Sequence, residues 1–468
     1  MSFTPGQPMP PAPSAPEAHP PQPAAQPRRL SVFGGLLWIL IGTLLLINNV
    51  VADIRVWQLF RDYWPVLLIL LGLTKLFDHF TSRQSGAPPA RLVTGGEIFL
   101  LIMLFFVGGG IALRDEIVRG NPDFAGEIRL PWEEEYTFPE EVTHAVAAVR
   151  PVRIDIPRGS VSVVADDIQE IRAVVQKRVR GGNEEQAKAR ANAAGIEIIE
   201  QGDSYLVRRR TGSENWVRLD VEVRVPRKAV VSAHTGSGSV RVQGTEGNLT
   251  VDADGSLEIR DAKGTVEAKV DGDVLIVGAA GDVRIDGSCD DIDIADVAGG
   301  ATIRCGFTGR TSLRNIAKQV YFKSARTEMT AGSLPGRLVI GSGDLELFDS
   351  PKDVTLTTRN YDILMDNVAG RIQVENRNGK IEVRFPKPPT DEITLTNERG
   401  GVELTLPANS AFEIDASSDR GGDVETDFAG LNVSRDGRDK RIEGRAGSGG
   451  PRIRIRTSYD GITLRKGQ

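Results

Sequence analysis

The residues best suited to chemistry are the aspartates that recur between positions 252 and 293. Calcium needs several oxygen ligands that converge on one point. Asp252-Ala253-Asp254-Gly255 lacks the third acid of an EF-hand loop, and the nonapeptide calcium-roll motif is absent. Because Asp is an ordinary turn residue, we predict turns and no metal site, with a calcium site as the alternative. The set comprises Asp252, Asp254, Asp271, Asp273, Asp282, Asp286, Asp290, Asp291 and Asp293.

Catalytic motifs are equally scarce in the sequence. Glycoside hydrolysis needs two placed carboxylates, and acids are so widely scattered that no pair stands out. The sequence holds no Gly-x-Ser-x-Gly elbow, no phosphate-binding loop and no His-containing metal motif. His234 could serve as a base, but a turn histidine before Gly236 is the simpler interpretation. We therefore predict no catalytic, cofactor-binding or metal-binding residues.

The two cysteines, Cys289 and Cys305, are the only ones in the chain. Their spacing of 16 positions is close to one repeat of the pattern described below. They could lie side by side, and a location outside the cytoplasm would permit a disulfide. Two buried free thiols are the alternative, and the spacing does not separate the two.

Composition excludes some classes of protein. The chain has 468 residues and a formal net charge of −6. Because a nucleic-acid binder needs a basic footprint, we predict no nucleic-acid partner. The 51 glycines and the aromatic content of 6% are typical of a turn-rich, aliphatic β protein.

A repeat of very short strands runs from about residue 238 to 406. Each unit reads apolar, polar, apolar, and a turn rich in Gly, Asp or Asn follows it. Such strands are unstable alone, but when stacked at a fixed period they bury one continuous core. The pattern predicts a mainly β fold, a right-handed parallel β-solenoid (β-helix-like) over residues 236–466. The first apolar residues of the early units are Val240, Leu249, Leu257, Val266, Val274, Val283 and Ile292.

The flanking segments complete the soluble part. Residues 151–235 read as an N-terminal β segment with one short capping helix at 183–194, where Asn183 is a suitable N-cap and Gly195 ends the helix. Residues 114–150 read as a polar, acidic linker. Residues 416–450 read as a long loop before two terminal strands.

The N-terminal region reads as a membrane domain. Residues 1–29 are Pro-rich and predict a disordered tail. The region 30–113 predicts three transmembrane helices, at about 30–51, 64–80 and 97–113. The positive-inside rule puts the N-terminus in the cytoplasm and the solenoid outside it. If one span does not cross, the solenoid lies in the cytoplasm instead.

Two stretches resemble known bacterial families. Gly34-Gly35-Leu36-Leu37-Trp38-Ile39-Leu40-Ile41-Gly42 and Trp64-Pro65-Val66-Leu67-Leu68-Ile69-Leu70-Leu71-Gly72 are similar to the LiaI/LiaF-type transmembrane region of envelope-stress proteins. Gly272-Asp273-Val274-Leu275-Ile276 and Gly281-Asp282-Val283-Arg284-Ile285 match the repeated unit of the adhesin-like β-strand-repeat family DUF4097. That resemblance covers residues 150–466 and loses the Gly-Asp turn at Ala317-Lys318-Gln319-Val320. It implies surface binding and assigns no site residues.

These features predict a multi-pass protein of the bacterial cytoplasmic membrane. It would present the solenoid as a non-catalytic, adhesin-like binding or scaffold surface, with an envelope protein, surface protein or glycan as ligand. One alternative is an envelope-stress regulator whose transmembrane helices bind a membrane signalling partner. A second alternative is a carbohydrate-active β-helix enzyme.

Overall fold

The alternation of apolar and polar residues produces a coil of short strands. The structure, a computed structural model, describes residues 134–210 and 217–467. All of them belong to the second of two units, Glu116–Gln468. The predicted tail 1–29 and the predicted spans within 30–113 lie outside the described residues. In the part of the chain that is described, no helix has the length and apolarity needed to cross a membrane.

The described residues contain one α-helix, α1 (Glu184–Ala193), and a long series of strands. The strands up to the middle of the repeat are β1 (Glu134–Ala145), β2 (Val152–Asp155), β3 (Val161–Asp166), β4 (Glu170–Gly181), β5 (Ile196–Gln201), β6 (Ser204–Arg209), β7 (Arg218–Pro226), β8 (Val231–Thr235), β9 (Val240–Gln243), β10 (Leu249–Ala253), β11 (Leu257–Ala262), β12 (Val266–Val270), β13 (Val274–Ala279), β14 (Val283–Cys289), β15 (Ile292–Val297), β16 (Ala301–Phe307) and β17 (Thr311–Ile316). The remaining strands are β18 (Val320–Lys323), β19 (Thr327–Ala331), β20 (Leu334–Ile340), β21 (Asp344–Ser350), β22 (Val354–Thr358), β23 (Asp362–Val368), β24 (Ile372–Asn378), β25 (Ile381–Arg384), β26 (Ile393–Arg399), β27 (Val402–Pro407), β28 (Phe412–Ser418), β29 (Val424–Thr426), β30 (Leu431–Asp436), β31 (Asp439–Ala446), β32 (Arg452–Thr457) and β33 (Ile462–Gly467).

Successive strands of the repeat alternate between two sheets. Sheet A has the order β1-β4-β7-β3-β9-β11-β13-β15-β17-β20-β21-β23-β25-β27-β33-β29. The pairings of sheet B run from β5 through β6, β2, β8, β10, β12, β14, β16, β18, β19, β22, β24, β26, β32, β28 and β31 to β30 without returning on themselves. Each rung of the coil therefore contributes one strand to each sheet.

The core lies between the two sheets and is filled by stacked aliphatic side chains. In β10, Leu249, Val251 and Ala253 are buried while Thr250 faces outward. Leu249 lies beside Val266 of β12 in the parallel ladder, so that each rung repeats the same inward pattern. Full burial of such a side chain is worth about 1.5–3 kcal/mol, and stacking makes these contributions accumulate along the coil.

One rung in the middle of the coil runs backwards. β19 is antiparallel to both β18 and β22, and β20 is antiparallel to both β17 and β21. A hairpin turn between β18 and β19 is closed by Ser324, whose hydroxyl accepts the amide of Thr327 at 3.1 Å. We name β8 to β18 the N-terminal stack, β19 and β20 the reversed rung, and β21 to β33 the C-terminal stack.

The structure corrects three sequence interpretations. Residues 114–150 are not wholly a linker, because β1 pairs with β4 over its full length. Residues 416–450 are not a loop, because β29, β30 and β31 lie within them, and β30 and β31 form a hairpin against β28. The solenoid is not wholly parallel, because the reversed rung and the pairs at both ends are antiparallel. In the first two cases charged and polar residues obscured the alternation, whereas the reversed rung keeps the alternation and differs only in strand direction.

The predicted capping helix is confirmed. The side chain of Asn183 accepts the amide of Gln186, and Ala187 and Ala191 are buried. The buried Lys177 donates from Nζ to the carbonyl of Ala191 at 2.9 Å and lies 3.2 Å from Glu140 of β1. These contacts join β1, β4 and α1 at the first end of the coil.

Candidate functional site

A groove of about 1100 Å³ lies on the outer face of sheet A. It begins at Val174 of β4 and reaches Val339 of β20. Those strands are eight strand spacings apart in the sheet, so the groove is about 38 Å long at 4.7–4.9 Å per strand. The groove therefore follows the axis of the coil from β4, β7 and β3 across the sheet A strands of the N-terminal stack to part of the reversed rung.

One wall of the groove is a row of turn residues, each of which directly precedes the first buried residue of a sheet A strand. The row contains Ser239, Ser256, Asp273, Asp291 and Arg310. The carboxylate of Asp273 accepts the amide of Asp291 at 3.2 Å, and the carboxylate of Asp291 accepts the amide of Arg310 at 2.7 Å. Side chain to backbone bonds between rungs therefore fix the spacing of this wall.

The floor of the groove carries paired charges and a few apolar side chains. Glu258 accepts from Arg241 at 2.7 Å and from Arg260 at 2.8 Å. Hydrogen bonds from Arg260 and then Arg241 hold the pKa of Glu258 below its ordinary value. Leu275 lies on the neighbouring strand. The floor therefore places hydrogen-bonding groups, largely engaged in ion pairs, beside apolar side chains.

The aspartates singled out from the sequence serve mainly as bonds between rungs. Asp282 accepts the amide of Gly300 at 2.8 Å, Asp271 accepts the amide of Ser288 at 3.2 Å, and Asp290 accepts the hydroxyl of Thr308 at 3.0 Å. The structure brings only three of the set, Asp273, Asp291 and Asp293, to the groove. The turn interpretation accounts for most of the row.

The remaining aspartates lie outside the groove or in local ion pairs. Asp293 pairs with Arg314 at 3.2 Å and Asp286 with Arg284 at 3.0 Å. Asp252 lies 3.6 Å from the exposed His234 on the outer face of sheet B. Within residues 134–210 and 217–467, no three His, Cys, Asp or Glu side chains are grouped so as to hold a metal ion.

Cys289 and Cys305 are bonded to each other as a disulfide. Both are buried in the core, where they join β14 to β16. Asp290 and Asp291 follow Cys289 directly, so the disulfide anchors the chain just before it enters the wall of the groove. The spacing of about one rung had left this pairing open.

The serines of the groove were missed by reasoning from the sequence alone. Ser239 and Ser256 are 17 positions apart, one rung of the repeat, and each precedes a Val or Leu that opens a strand. That shared position was a usable signal, because residues at equal places in successive rungs stack into one row. Serine alone carries no distinctive chemistry, and so the row draws attention only once the groove is seen.

Two family models match parts of the chain. Residues 309–465 match the family model of the Toastrack DUF4097 domain, and residues 33–115 match that of the LiaF transmembrane domain. The crystal structure of a candidate cell adhesion protein from Clostridium sporogenes aligns with 9% identity over 70% of this chain and 100% of its own, at a TM-score of 0.17. A likeness at that TM-score does not bear on function.

No curated protein is significantly similar to the chain. The Toastrack match begins at β17 and covers the reversed rung and nearly all of the C-terminal stack, so the groove lies mostly in rungs before it. The LiaF match supports attachment to a membrane. The chain thus matches the LiaF transmembrane domain in its N-terminal region and the Toastrack DUF4097 domain in its C-terminal region.

Proposed function

We propose that this protein is anchored in the bacterial cytoplasmic membrane and presents its solenoid outside the cytoplasm as a non-catalytic binding surface. The observation that carries the proposal is the groove on sheet A, a continuous surface along the coil that presents hydroxyl and charged side chains beside apolar ones. Its walls are fixed by bonds between rungs, so it is organised before a ligand arrives. The ligand is an envelope or surface molecule that lies along the groove.

The disulfide supports a location outside the cytoplasm. Disulfides persist in oxidising compartments and are rare in the cytoplasm, where thiols are kept reduced. Cys289 and Cys305 are the only cysteines in the chain and they pair with each other. An N-terminus in the cytoplasm and three membrane spans also put the solenoid outside the cytoplasm, which is the side that the disulfide favours.

A right-handed coil is part of the proposal, because parallel crossovers are right-handed in about 98% of cases.

Binding by the groove is tested with a matched pair of serine variants. Ser256 lies in the groove, and Ser232 faces outward from β8 on sheet B with similar partial burial. The full chain in detergent would be titrated with isolated envelope material. We expect Ser256→Tyr to weaken binding at least about tenfold, or 1.4 kcal/mol, and Ser232→Tyr to leave it unchanged. Equal effects of the two variants would refute the groove as the binding surface.

Topology is tested with reporter fusions after residue 120. Alkaline phosphatase is active only outside the cytoplasm, so this fusion should be active and a cytoplasmic reporter at the same place should be inactive. The opposite pattern would place the solenoid in the cytoplasm and remove the display function.

The LiaF match favours a second candidate function, an envelope-stress regulator. In that case the transmembrane helices would bind a membrane signalling partner, and the solenoid would report on the envelope. Crosslinking in intact membranes, followed by purification of the full chain under envelope stress, tests it. Recovery of no membrane signalling protein would count against this function and leave the binding function standing.

A further inference from the structure

Three arginines gather at the end of the groove that adjoins the reversed rung. Arg314 of β17 and Arg337 of β20 lie directly opposite each other in the antiparallel ladder. Arg310 precedes β17 and lines the same part of the groove, together with Ser312. Like charges that face each other across a strand pair destabilise a sheet. This arrangement is therefore costly unless an anion is bound there.

The three arginines are only partly neutralised by the protein. Arg314 is 3.2 Å from Asp293. Arg337 lies 4.4 Å from the ring centroid of Phe348, and its nearest carboxylate, that of Glu346, is 4.0 Å away. Among residues 134–210 and 217–467, the guanidinium of Arg310 forms no ion pair. Asp291 accepts a hydrogen bond from the backbone amide of Arg310 and not from its side chain. All three side chains are exposed.

We propose that this end of the groove binds the carboxylate or phosphate groups of a linear acidic glycan. The inference rests on the proposed function and names the ligand class of the same groove. Guanidinium groups match carboxylate and phosphate oxygens with two parallel hydrogen bonds. The hydroxyl of Ser312 lies between Arg310 and Arg314 along the strand and adds a donor for the same oxygens.

The rest of the groove fits the uncharged part of such a chain. Ser160, Ser239 and Ser256 present hydroxyls on successive rungs, at a spacing of about 4.8 Å. Hydroxyls both donate and accept, as the hydroxyls of sugars do. The acids nearby are already engaged, since Glu258 binds two arginines and Asp273 binds the next turn. An extended chain therefore meets hydroxyls along the wall and unsatisfied positive charge at one end.

The test uses three polymers that share one backbone: carboxymethyl dextran, phosphorylated dextran and unmodified dextran. Each would be titrated into the full chain in detergent, with binding followed by calorimetry at low and at physiological salt. The variant is Arg310→Gln with Arg337→Gln. Arg284→Gln is the control, because Arg284 is an outward strand arginine on sheet B whose side chain is 49% exposed, close to the 54% of Arg337. Circular dichroism would show that the β content of each variant is unchanged.

We expect at least one acidic dextran to bind, and to bind at least about tenfold more tightly than unmodified dextran. Loss of the two arginines should weaken this binding by at least about tenfold and reduce its dependence on salt, while Arg284→Gln has no effect. Tighter binding of the carboxymethyl or of the phosphorylated polymer identifies the preferred anion. Equal binding of all three polymers, binding of none, or equal effects of the two variants would overturn the inference.

Failure of this inference is distinguishable from failure of the proposed function. If Ser256→Tyr abolishes binding to envelope material while Arg310→Gln with Arg337→Gln leaves that binding intact, the groove is the binding surface and the acidic glycan is wrong. If Ser256→Tyr has no effect either, the proposed function fails as well.

Discussion

The two stacks of the solenoid share one backbone plan but use their outer face differently. In the N-terminal stack the outer face of sheet A is the groove, with hydroxyls along one wall. In the C-terminal stack the same face is occupied by ion pairs, since Lys380 lies 2.9 Å from Glu382 and 2.7 Å from Glu403, and Arg465 lies 2.9 Å from Glu403. The comparison shows that the repeat specifies the coil, while the outward residues decide which part forms a groove.

The stacks also differ inside the core, at the end of each sheet B strand. The residue four positions after the first buried residue of these strands forms one column, whose members in the N-terminal stack include Ala253, Val270, Gly287 and Cys305. In the C-terminal stack the column holds Asn376, Asn397 and Thr457. The amide of Asn397 donates to the carbonyls of Gly379 at 2.7 Å and Gly400 at 2.8 Å. At this position a disulfide crosslinks neighbouring rungs of the N-terminal stack, whereas side-chain amides hydrogen-bond neighbouring rungs of the C-terminal stack.

Of the features that distinguish the two stacks, the disulfide should contribute most to the free energy of unfolding. The bridge spans 16 positions, and a loop of that size is worth about 3 kcal/mol. Cys289→Ala with Cys305→Ala should lower the free energy of unfolding by that amount, measured with denaturant on the full chain in detergent. Reduction of the wild-type protein should reproduce the loss. An unchanged stability in both experiments would show that the N-terminal stack does not depend on the bridge.

Crowding at the turns should produce the next effect. A Cβ atom at Gly281 would lie 2.3 Å from the carbonyl oxygen of Gly264 in the preceding rung. Gly281→Ala must separate two rungs and should cost up to about 3 kcal/mol, the upper end of ordinary overpacking. Gly343→Ala is the control, because nothing lies within 4 Å of a Cβ atom there. Similar thermal midpoints for the two variants would mean that the rungs are not in close contact.

The amide column of the C-terminal stack predicts a smaller loss. Asn397→Ala leaves the carbonyls of Gly379 and Gly400 without that donor, and a buried unsatisfied group costs about 1–3 kcal/mol. We expect the free energy of unfolding, measured with denaturant, to fall by about 2 kcal/mol. The neighbouring Thr396, which faces outward, is the control, and Thr396→Ala should change little. If Thr396→Ala and Asn397→Ala lower the free energy of unfolding equally, the column does not stabilise this stack.

Acid titration of the groove floor should give the smallest effect. The pKa of Glu258 is lowered by its arginine partners in the folded state. The stability that ionised Glu258 contributes to the fold is therefore complete above the unfolded-state pKa of about 4.3. This stability is lost as pH falls through the lower folded-state pKa. Glu258→Gln should cost under about 1 kcal/mol at neutral pH, and the difference from wild type should shrink in acid. A constant difference between pH 7 and 3 would contradict this origin.

The repeat in the sequence was sufficient to predict the coil of short strands, but it did not predict the reversed rung or β1. Val240, Leu249 and Leu257 all open strands at the predicted period, because stacking preserves the alternation that burial demands. The reversed rung keeps the same alternation in Thr327–Ala331, and strand direction leaves no mark on such a pattern. The alternation of Tyr136 and Phe138 in β1 was present as well, but the acids that flank this pair in the sequence suggested a linker.

The site was harder to predict than the fold, for a physical reason. Ser256 and Asp273 are common turn residues, and their role depends on which rungs stack beside them. The groove is produced by many rungs together, so no single motif encodes it. The opposition of Arg314 and Arg337 arises only because β20 runs backwards, a feature that the periodicity did not show.

The central claim is that the N-terminal stack is exposed outside the cytoplasm with its groove occupied by an envelope ligand. Labelling Ser256→Cys and Ser232→Cys in intact cells with a membrane-impermeant maleimide tests both parts at once. We predict that Ser232→Cys reacts in cells as fast as in the purified chain, whereas Ser256→Cys reacts more slowly in cells than when purified. Equal reaction of both in cells would contradict an occupied groove, and reaction of neither until the cells are lysed would contradict display outside the cytoplasm.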